Sequence, residues 1–423
     1  MLPIPRAPLT RRVVLAYTLN RLGTWFGNIA LAILVYDRTG SELAVAALLI
    51  CAQVVPAFLV PAVIARVEAR SSRGGLSALY ALEALAFAVL ALLASRHGPL
   101  APILVLVAID GTAALSASAL VRTSAAKTAR EAVLAGAGAG GAEPDPETIA
   151  LAMAAEGTAN SSMNLGFAIT YAIGPLLAGL IVPAYGVSAA LWLDVLSFLV
   201  CAAMMLDLTP HVRPGLDASV RARVASARAH ISAVPALRLL LIAESVAIIF
   251  FTFGGPLQVA YAKTTLGAGA PGYGLLAAAW GVGVTVGSIV FARGENRALM
   301  RLLMLSTLAV GVAYLGFWAA PTLAVATLAA VVGGVGNGIQ WASLIGCVQR
   351  LTPHDLLSQM MGATEIIGSI APAAGYLLAG VIAVHSSTRT AFLVAGLGAC
   401  LTIAAFARVP REAIDGEPAV ATG

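Results

Sequence analysis

The stretch Ser161–Val182, SSMNLGFAITYAIGPLLAGLIV, indicates the architecture, because its end is repeated 201 residues further along the chain. Leu176–Ile181 reads LLAGLI, and Leu377–Ile382 reads LLAGVI. A similarity over that distance predicts two related halves. Both copies are apolar and contain Gly and Pro, which membrane helices tolerate where neighbouring helices cover the freed backbone groups. The stretch therefore predicts a membrane protein built from two similar halves.

The composition requires an apolar solvent. Of the 423 residues, 60% are hydrophobic and only 11% are charged, so polar side chains are too few to cover a water-soluble protein. A helix that rises ~1.5 Å per residue needs about 20 apolar residues to cross the hydrocarbon core. Twelve runs of that length lie at roughly 13–36, 42–65, 75–95, 99–122, 154–182, 187–206, 236–262, 271–292, 300–319, 321–347, 359–384 and 389–407.

These twelve spans predict an all-α membrane protein with twelve transmembrane helices in two pseudo-symmetric six-helix bundles. We place the bundles at residues 1–208 and 236–410. The segment between them, 209–235, is predicted to be a cytoplasmic linker with a surface helix, and 411–423 a cytoplasmic tail. No paired spacing links the four cysteines, and no His/Cys/Asp cluster has metal-ligand spacing, so we expect no disulfide, metal or cofactor.

The positive charges predict the orientation. With the N-terminus inside, twenty of the 25 Lys and Arg residues fall in cytoplasmic segments, as the positive-inside rule requires. The net charge of +5 is therefore a topology signal, and we do not expect nucleic-acid binding. The apolar run behind the basic N-terminus is too long for a signal-peptide core, so it is predicted to stay as the first helix.

The first span carries a polar and aromatic stripe, Tyr17, Arg21, Trp25 and Asn28, at spacings that place it on one helix face. An arginine within a span costs about 2.5–3.5 kcal/mol on insertion scales, so Arg21 should face a partner or a water-filled cavity. A structural ion pair that only helps assembly is the alternative. The Gly23 and Gly27 pair on the same helix predicts close packing.

Asp110 lies near the middle of the fourth span among small residues. A buried carboxylate binds a proton unless a cation lies close to it, and Arg21 is predicted at a similar depth. The pair therefore suits proton coupling, and a permanently paired Asp110 is the equally weighted alternative. Glu83 lies in the third span, and Asp194, in the sixth span, is interpreted as structural.

Polar or aromatic stripes recur in later spans, which favours a shared aqueous cavity over separate local backbone contacts. Glu244 and Glu365 join Arg21 and Asp110 as predicted proton-coupling residues. The predicted substrate cavity is lined by Tyr17, Trp25, Asn28, Phe251, Gln258, Asn337, Gln340 and Trp341.

Several motifs resemble one known family, the major facilitator superfamily, and within it bacterial multidrug, macrolide and siderophore exporters. They are NRLGTWFGN at Asn20–Asn28, DRTGS at Asp37–Ser41, ANSS at Ala159–Ser162 and LDVLSF at Leu193–Phe198. Gly174, Pro175 and Gly179 are similar to the family's antiporter motif. The resemblance implies the major facilitator fold, a central cavity lined by spans 1, 4, 7 and 10, and a bacterial cytoplasmic membrane with both termini inside.

The chain departs from the family pattern at the cytoplasmic gate. Glu68 stands for the family's aspartate, with Arg70 and Arg73 nearby, and Asp355 lies in the matching loop before span 11. The basic residue that many drug/proton antiporters carry within the fourth helix is absent, and Asp110 is the only charge predicted there.

These observations predict a secondary active transporter, not an enzyme, that couples protons to efflux of a small amphipathic drug, antibiotic or siderophore-like metabolite. Its expected partners are that solute, protons and the lipid bilayer, and we expect a monomer. One alternative is uptake or exchange of a nutrient or lysolipid. An alternative of another class is a membrane sensor or scaffold that keeps the fold without transporting.

Overall fold

The computed structural model describes residues 5, 7–70, 74–96, 99–137, 145–208, 220–293, 298–353, 356–410 and 414. For residues 65, 68–70, 220–224 and 358 it describes the backbone alone. Fourteen α-helices form in these ranges, and none of the described residues belongs to a strand. They are α1 Pro8–Thr39, α2 Glu42–Leu49, α3 Val55–Arg70, α4 Gly75–Ala94, α5 Leu100–Ala137, α6 Pro146–Met204, α7 Val220–Ala233, α8 Pro235–Phe251, α9 Gly254–Ala260, α10 Gly269–Arg293, α11 Leu299–Ala319, α12 Leu323–Arg350, α13 Leu357–His385 and α14 Thr388–Phe406.

Twelve spans emerge once local breaks are taken into account. Short π-helical segments, Ile50–Val54 and Tyr261–Thr265, make α2 and α3 one crossing and extend α8 and α9 as another. The 59 residues of α6 are two helices, because Gly186 has a φ of 85° that no α-helix contains. Ten described segments are long and apolar enough to cross a membrane, with α6 counted once. The 32-residue α1, which carries Arg21, is not one of these ten, and its length suits the remaining crossing.

The starts of several helices follow the capping rules. Asp145 precedes Pro146, the first residue of α6, and accepts a hydrogen bond of 2.8 Å from the Thr148 backbone N–H. Hydrogen bonds from Thr148 lower the pKa of Asp145 from its ordinary value. Thr322 and Ser387 cap α12 and α14 in the same way. Local sequence therefore fixes where these helices begin.

The chain divides into two compact units, one of Met1–Leu34 with Cys51–Pro214 and one of Val35–Ile50 with Gly215–Gly423. In the first unit α4 packs against α5 and α6, and α5 packs against α3 and α6. Helix α1 joins them through Thr10, which donates to Thr128 of α5 at 3.2 Å, and through Ala16, whose carbonyl accepts from the Cys201 thiol of α6. These contacts hold the first part of α1 against α5 and α6.

In the second unit, α12 packs against α10 and α11, α11 against α14, and α13 against α2 and α8. Its core includes stacked and edge-on rings of Tyr261, Tyr314, Phe317 and Phe392, with centroids 5.0–6.1 Å apart. Helix α7 lies within the predicted linker, and Ala227 packs it against this unit's apolar core.

Residues 35–50, which the sequence assigns to the first bundle, belong to the second unit. Asp37 forms an ion pair with Lys263, and buried Glu42 accepts a hydrogen bond of 3.0 Å from Thr388. The backbone of Leu43 lies so close to Gly380 that a Cβ there would approach it to 2.8 Å. Polar and close-packed contacts therefore hold the end of α1 and all of α2 in this unit.

The outside of the helices is apolar. Leu85, Leu328 and Leu401 are 62%, 68% and 73% exposed, and many other large apolar side chains are exposed on the long helices. A soluble protein rarely leaves so much apolar surface in water. The bilayer is the solvent that this surface fits.

Candidate transport site

The polar stripe of α1 meets α5 and α6 within the first unit. Tyr17 is 1% exposed, and its hydroxyl accepts hydrogen bonds from Arg122 Nη2 at 2.6 Å and from Arg21 Nε at 3.4 Å. The Arg21 guanidinium lies 5.5 Å from the Tyr17 ring centroid and 5.5 Å from that of Phe167. Arg122 lies 5.1 Å from the Tyr17 centroid and also donates to Asn164 Oδ1 at 3.4 Å. Two guanidinium groups thus converge on one phenol.

An aromatic group continues this surface along α1 and α6. The Trp25 and Tyr171 rings stack with centroids 4.6 Å apart and an 11° interplanar angle, and Phe167 lies 5.6 Å from Tyr171. All three side chains are partly exposed. The surface therefore offers charged donors beside flat apolar rings.

The glycine of the predicted antiporter motif positions these rings. A Cβ at Gly174 would lie 2.7 Å from Trp25 Cβ and 2.8 Å from its Cδ1. The absence of a side chain therefore lets α6 approach α1 closely enough for Trp25 to stack on Tyr171. Pro175 and Gly179 follow on the same helix and are buried.

The structure corrects the expectation that Asp110 is the only charge on the fourth span. Helix α5 continues to Ala137, so Arg122, which charge counting assigned to a cytoplasmic segment, lies on the same helix as Asp110 and contacts α1. The predicted approach of Arg21 to Asp110 is not observed, since Arg21 contacts Tyr17 and Phe167 and forms no ion pair with a described carboxylate.

Three carboxylates form a second polar group inside the first unit. Glu83 and Asp194 are 0% exposed, Asp110 is partly exposed, and the three carboxylates interact electrostatically. Neither Glu83 oxygen makes a hydrogen bond of normal geometry with a described residue, and the same holds for Asp110 Oδ1 and Asp194 Oδ2. The side chain of Asn20 lies beside Glu83. We call Glu83, Asp110 and Asp194 the acidic cluster.

Helix α1 provides the space for this cluster. A Cβ at Gly23 would lie 2.3 Å from Asp194 Oδ1, and one at Gly27 would lie 2.5 Å from Asp194 Oδ2. Ser197 donates to Asp194 Oδ1 at 3.1 Å. The close packing predicted at Gly23 and Gly27 therefore admits the carboxylate of Asp194, which no sequence pattern grouped with Asp110.

The acidic cluster cannot carry three uncompensated negative charges. Close carboxylates repel one another, and ionised groups without hydrogen bonds are unfavourable in a low-dielectric interior. Arg21 is too far away to form an ion pair, although its charge acts on Glu83. Bound protons or another small cation would stabilise the cluster by neutralising part of its charge.

The second unit contains a different buried carboxylate. Glu244 and Gln340 are each 1% exposed, and Gln340 Nε2 donates to Glu244 Oε1 at 2.8 Å and Oε2 at 2.7 Å. The prediction that Gln340 lines an open cavity is therefore wrong, because its amide is used internally to bind Glu244.

Replacing Gln340 with Leu is expected to destabilise the protein. It leaves the buried Glu244 carboxylate without its donor, and hydrogen bonds to charged groups contribute about 1.5–3 kcal/mol. The unfolding midpoint in detergent should fall relative to wild type. The matched change Gln258→Leu, at a partly exposed position with no such acceptor, should have little effect. The double change Glu244→Leu with Gln340→Leu should recover much of the loss, and no recovery would contradict this account.

The remaining predicted residues are spread over several helices. Asn28, Trp341 and Glu365 are exposed, whereas Phe251, Gln258 and Asn337 are partly buried. Trp341 lies on α12 near Gly368 of α13, where a Cβ would be 3.5 Å from its ring.

The predicted cytoplasmic gate falls outside what the structure describes. Arg73 and Asp355 lie outside the described residues, and for Glu68 and Arg70 the backbone ends α3 without a described side chain.

The fold and its long apolar helices define a class of protein, a multi-pass α-helical membrane protein. Residues 239–421, in the C-terminal half, match the family model described as Major Facilitator Superfamily. No curated protein matches the chain in sequence.

Solved structures resemble the whole chain. The nucleoside transporter NupG is 12% identical with a TM-score of 0.72, over 95% of this chain and 99% of that one. A bacterial homologue of the iron transporter ferroportin, in an inward-facing state, is 15% identical with a TM-score of 0.68, over 95% and 98%. A bacterial homologue of the human lysosomal transporter Spinster is 12% identical with a TM-score of 0.62, over 96% and 95%.

At these identities the solved structures establish the fold, which is the predicted all-α major facilitator fold. The family match adds that residues 239–421 are similar in sequence to that superfamily.

Proposed function

We propose that this protein is a secondary active transporter that exports a small amphipathic compound in exchange for protons by alternating access. The observation that carries the proposal is the acidic cluster, because Glu83 and Asp194 are buried, four carboxylate oxygens of the cluster make no hydrogen bond with a described residue, and bound cations would stabilise such groups inside the bundle. A transporter changes conformation only if a ligand binds its two states unequally. Glu83, Asp110 and Asp194 supply such a site for protons. The number of protons that they bind depends on whether water reaches the cluster in a given conformation.

Proton loading and solute binding are proposed to take place on neighbouring parts of the same unit. Arg21 acts electrostatically on Glu83 and also contacts the aromatic surface formed by Trp25, Phe167 and Tyr171. Those rings suit the apolar part of a solute. A solute that alters the position of Arg21 would therefore alter the proton affinity of the cluster, which is the coupling that exchange requires.

Export is favoured by the resemblance of Gly174, Pro175 and Gly179 to the antiporter motif. In this protein Gly174 packs directly against Trp25, so the motif shapes the proposed solute surface. Uptake is the second candidate, and it is favoured by the structural similarity to a nucleoside transporter and to a bacterial homologue of an iron transporter.

An accumulation assay separates the two directions. Cells that overproduce the protein would be tested with a panel of fluorescent amphipathic compounds, with and without a protonophore. Export predicts at least twofold lower accumulation of some compounds, restored by the protonophore. Higher accumulation would favour uptake, and an unchanged panel, with the protein present in the membrane, would contradict transport of this solute class.

A further inference from the structure

The pair of arginines in the first unit points to the charge of the transported solute. Arg21 and Arg122 share the hydroxyl of Tyr17, and neither forms an ion pair with any Asp or Glu in the described part of the chain. Their described acceptors are one phenol and, for Arg122, one amide oxygen of Asn164. Two adjacent cations with only neutral acceptors leave several guanidinium N–H donors available.

Such an arrangement is costly without an anion. Like charges repel, and guanidinium groups within a membrane bundle normally have carboxylates or backbone carbonyls as partners. Here aromatic rings stabilise both cations, since Arg21 lies over Tyr17 and Phe167 and Arg122 lies over Tyr17. The rings hold the guanidinium groups in place without neutralising their charge.

The surroundings are open enough for a ligand. Arg21 and Arg122 are partly exposed, Asn164 is exposed, and the stacked Trp25 and Tyr171 rings continue the same surface. Guanidinium groups bind carboxylates, sulfonates and phosphates through paired N–H donors, and flat rings bind apolar or aromatic bodies.

We propose that Arg21, Arg122 and Tyr17 form the anion-binding part of the solute site, so that the transported compound is an amphipathic anion with an aromatic or apolar body. The negative group binds between the two guanidinium groups, and the apolar body lies on Trp25, Phe167 and Tyr171. This inference rests on the proposed transport function and adds the charge class of its solute.

The geometry also predicts different roles for Arg21 and Arg122 in anion binding. Arg122 donates to Tyr17 through Nη2 at 2.6 Å and to Asn164 through Nη1, so both of its terminal nitrogens already make a hydrogen bond. Arg21 uses Nε alone at 3.4 Å, so its two terminal nitrogens are available. Arg21 is therefore the main hydrogen-bond donor to the anion. Arg122 holds the Tyr17 hydroxyl in position and adds positive charge to the site.

Binding of matched probes to the purified protein tests this directly. The probes are 1-naphthoate, naphthalene-1-sulfonate and 1-naphthyl phosphate, with neutral 1-naphthamide as the comparison, measured by calorimetry in neutral detergent. At least one anion should bind tenfold or more tightly than the amide. Arg21→Gln should weaken that anion by about ten- to a hundredfold, because a charge-assisted hydrogen bond is lost, and should leave the amide unchanged. Arg122→Gln should weaken it by a smaller factor.

Controls separate binding from folding. Arg130→Gln removes an exposed arginine two turns further along α5 and should change neither affinity nor unfolding midpoint. Arg21→Lys keeps the charge but loses the planar donor pair, so it should restore only part of the affinity. The proposal would be overturned if the anionic probes bound no more tightly than the amide, or if none of them bound. It would also be overturned if Arg21→Gln bound the anionic probe with wild-type affinity.

An anionic lipid headgroup could supply the negative group that binds the two arginines, in place of a soluble solute. Probe binding would be repeated in nanodiscs of phosphatidylcholine with or without phosphatidylglycerol. Similar probe affinities in the two kinds of nanodisc support a soluble solute. A tenfold loss of probe affinity in the presence of phosphatidylglycerol assigns the arginines to lipid binding and overturns the proposal. Because these assays measure binding without a pH gradient, their failure would leave proton coupling intact, and failure of coupling would leave anion binding intact.

Discussion

Asp110→Asn is expected to abolish transport driven by a pH gradient while leaving solute exchange at equal pH intact. The substitution removes a titratable group from the acidic cluster but keeps the side chain's size and polarity. Glu83 and Asp194 would then lose their electrostatic interaction with a neighbouring carboxylate. In inverted vesicles, pH-driven accumulation of the solute should fall at least tenfold, and counterflow without a gradient should stay within about twofold of wild type.

A matched carboxylate provides the control for this loss. Asp207 also lies in the first unit, but its side chain is 83% exposed and its ion pair with Arg12 is at the surface. Asp207→Asn should therefore leave pH-driven transport unchanged, since exposed ion pairs contribute little. Equal activity of wild type and Asp110→Asn would remove the acidic cluster from the mechanism.

Gly334→Ala is expected to disrupt the contact between α10 and α12 in the second unit. A Cβ at Gly334 would lie 2.1 Å from the Trp280 carbonyl oxygen, and Gly338 and Gly283 are similarly close to backbone atoms of the facing helix. Backbone cannot move aside as a side-chain end can, so the helices must separate. Overpacking of this kind costs about 1–3 kcal/mol or more, and the yield and unfolding midpoint should both fall clearly.

Gly362→Ala, on α13, is the opposite case. No atom lies within 4 Å of a Cβ built there, and the position is helical. Alanine is favoured over glycine in a helix by about 0.5–1 kcal/mol, so this change should be neutral or stabilising. If both alanine variants melted at the wild-type midpoint in fluorescence-detected size-exclusion assays, the close α10–α12 packing would be wrong.

The length of the apolar runs predicted the spans well because burial in lipid constrains run length directly. It predicted helix ends poorly. The fourth apolar run ends on Arg122, which was therefore counted with the charges that follow the span, whereas α5 continues to Ala137. A run of apolar residues measures only the part of a helix in contact with lipid, whereas the helix itself continues into polar surroundings.

The sequence also predicted that Gly23 and Gly27 allow close packing, but not what packs there. The partner is Asp194, 167 positions beyond Gly27, and only the tertiary arrangement brings the two together. Helical spacing could have grouped Asn164, Phe167 and Tyr171 on one face of α6, because they recur at three- and four-residue intervals. It could not have paired that face with Arg21.

The measurement that tests the account most directly is proton movement during solute transport in sealed proteoliposomes containing a trapped pH indicator. An imposed gradient of a transported solute should change the internal pH in wild type and should not do so in Asp110→Asn. Solute movement by wild-type protein with no accompanying pH change, in vesicles shown to hold an imposed pH gradient, would contradict the role assigned to Glu83, Asp110 and Asp194.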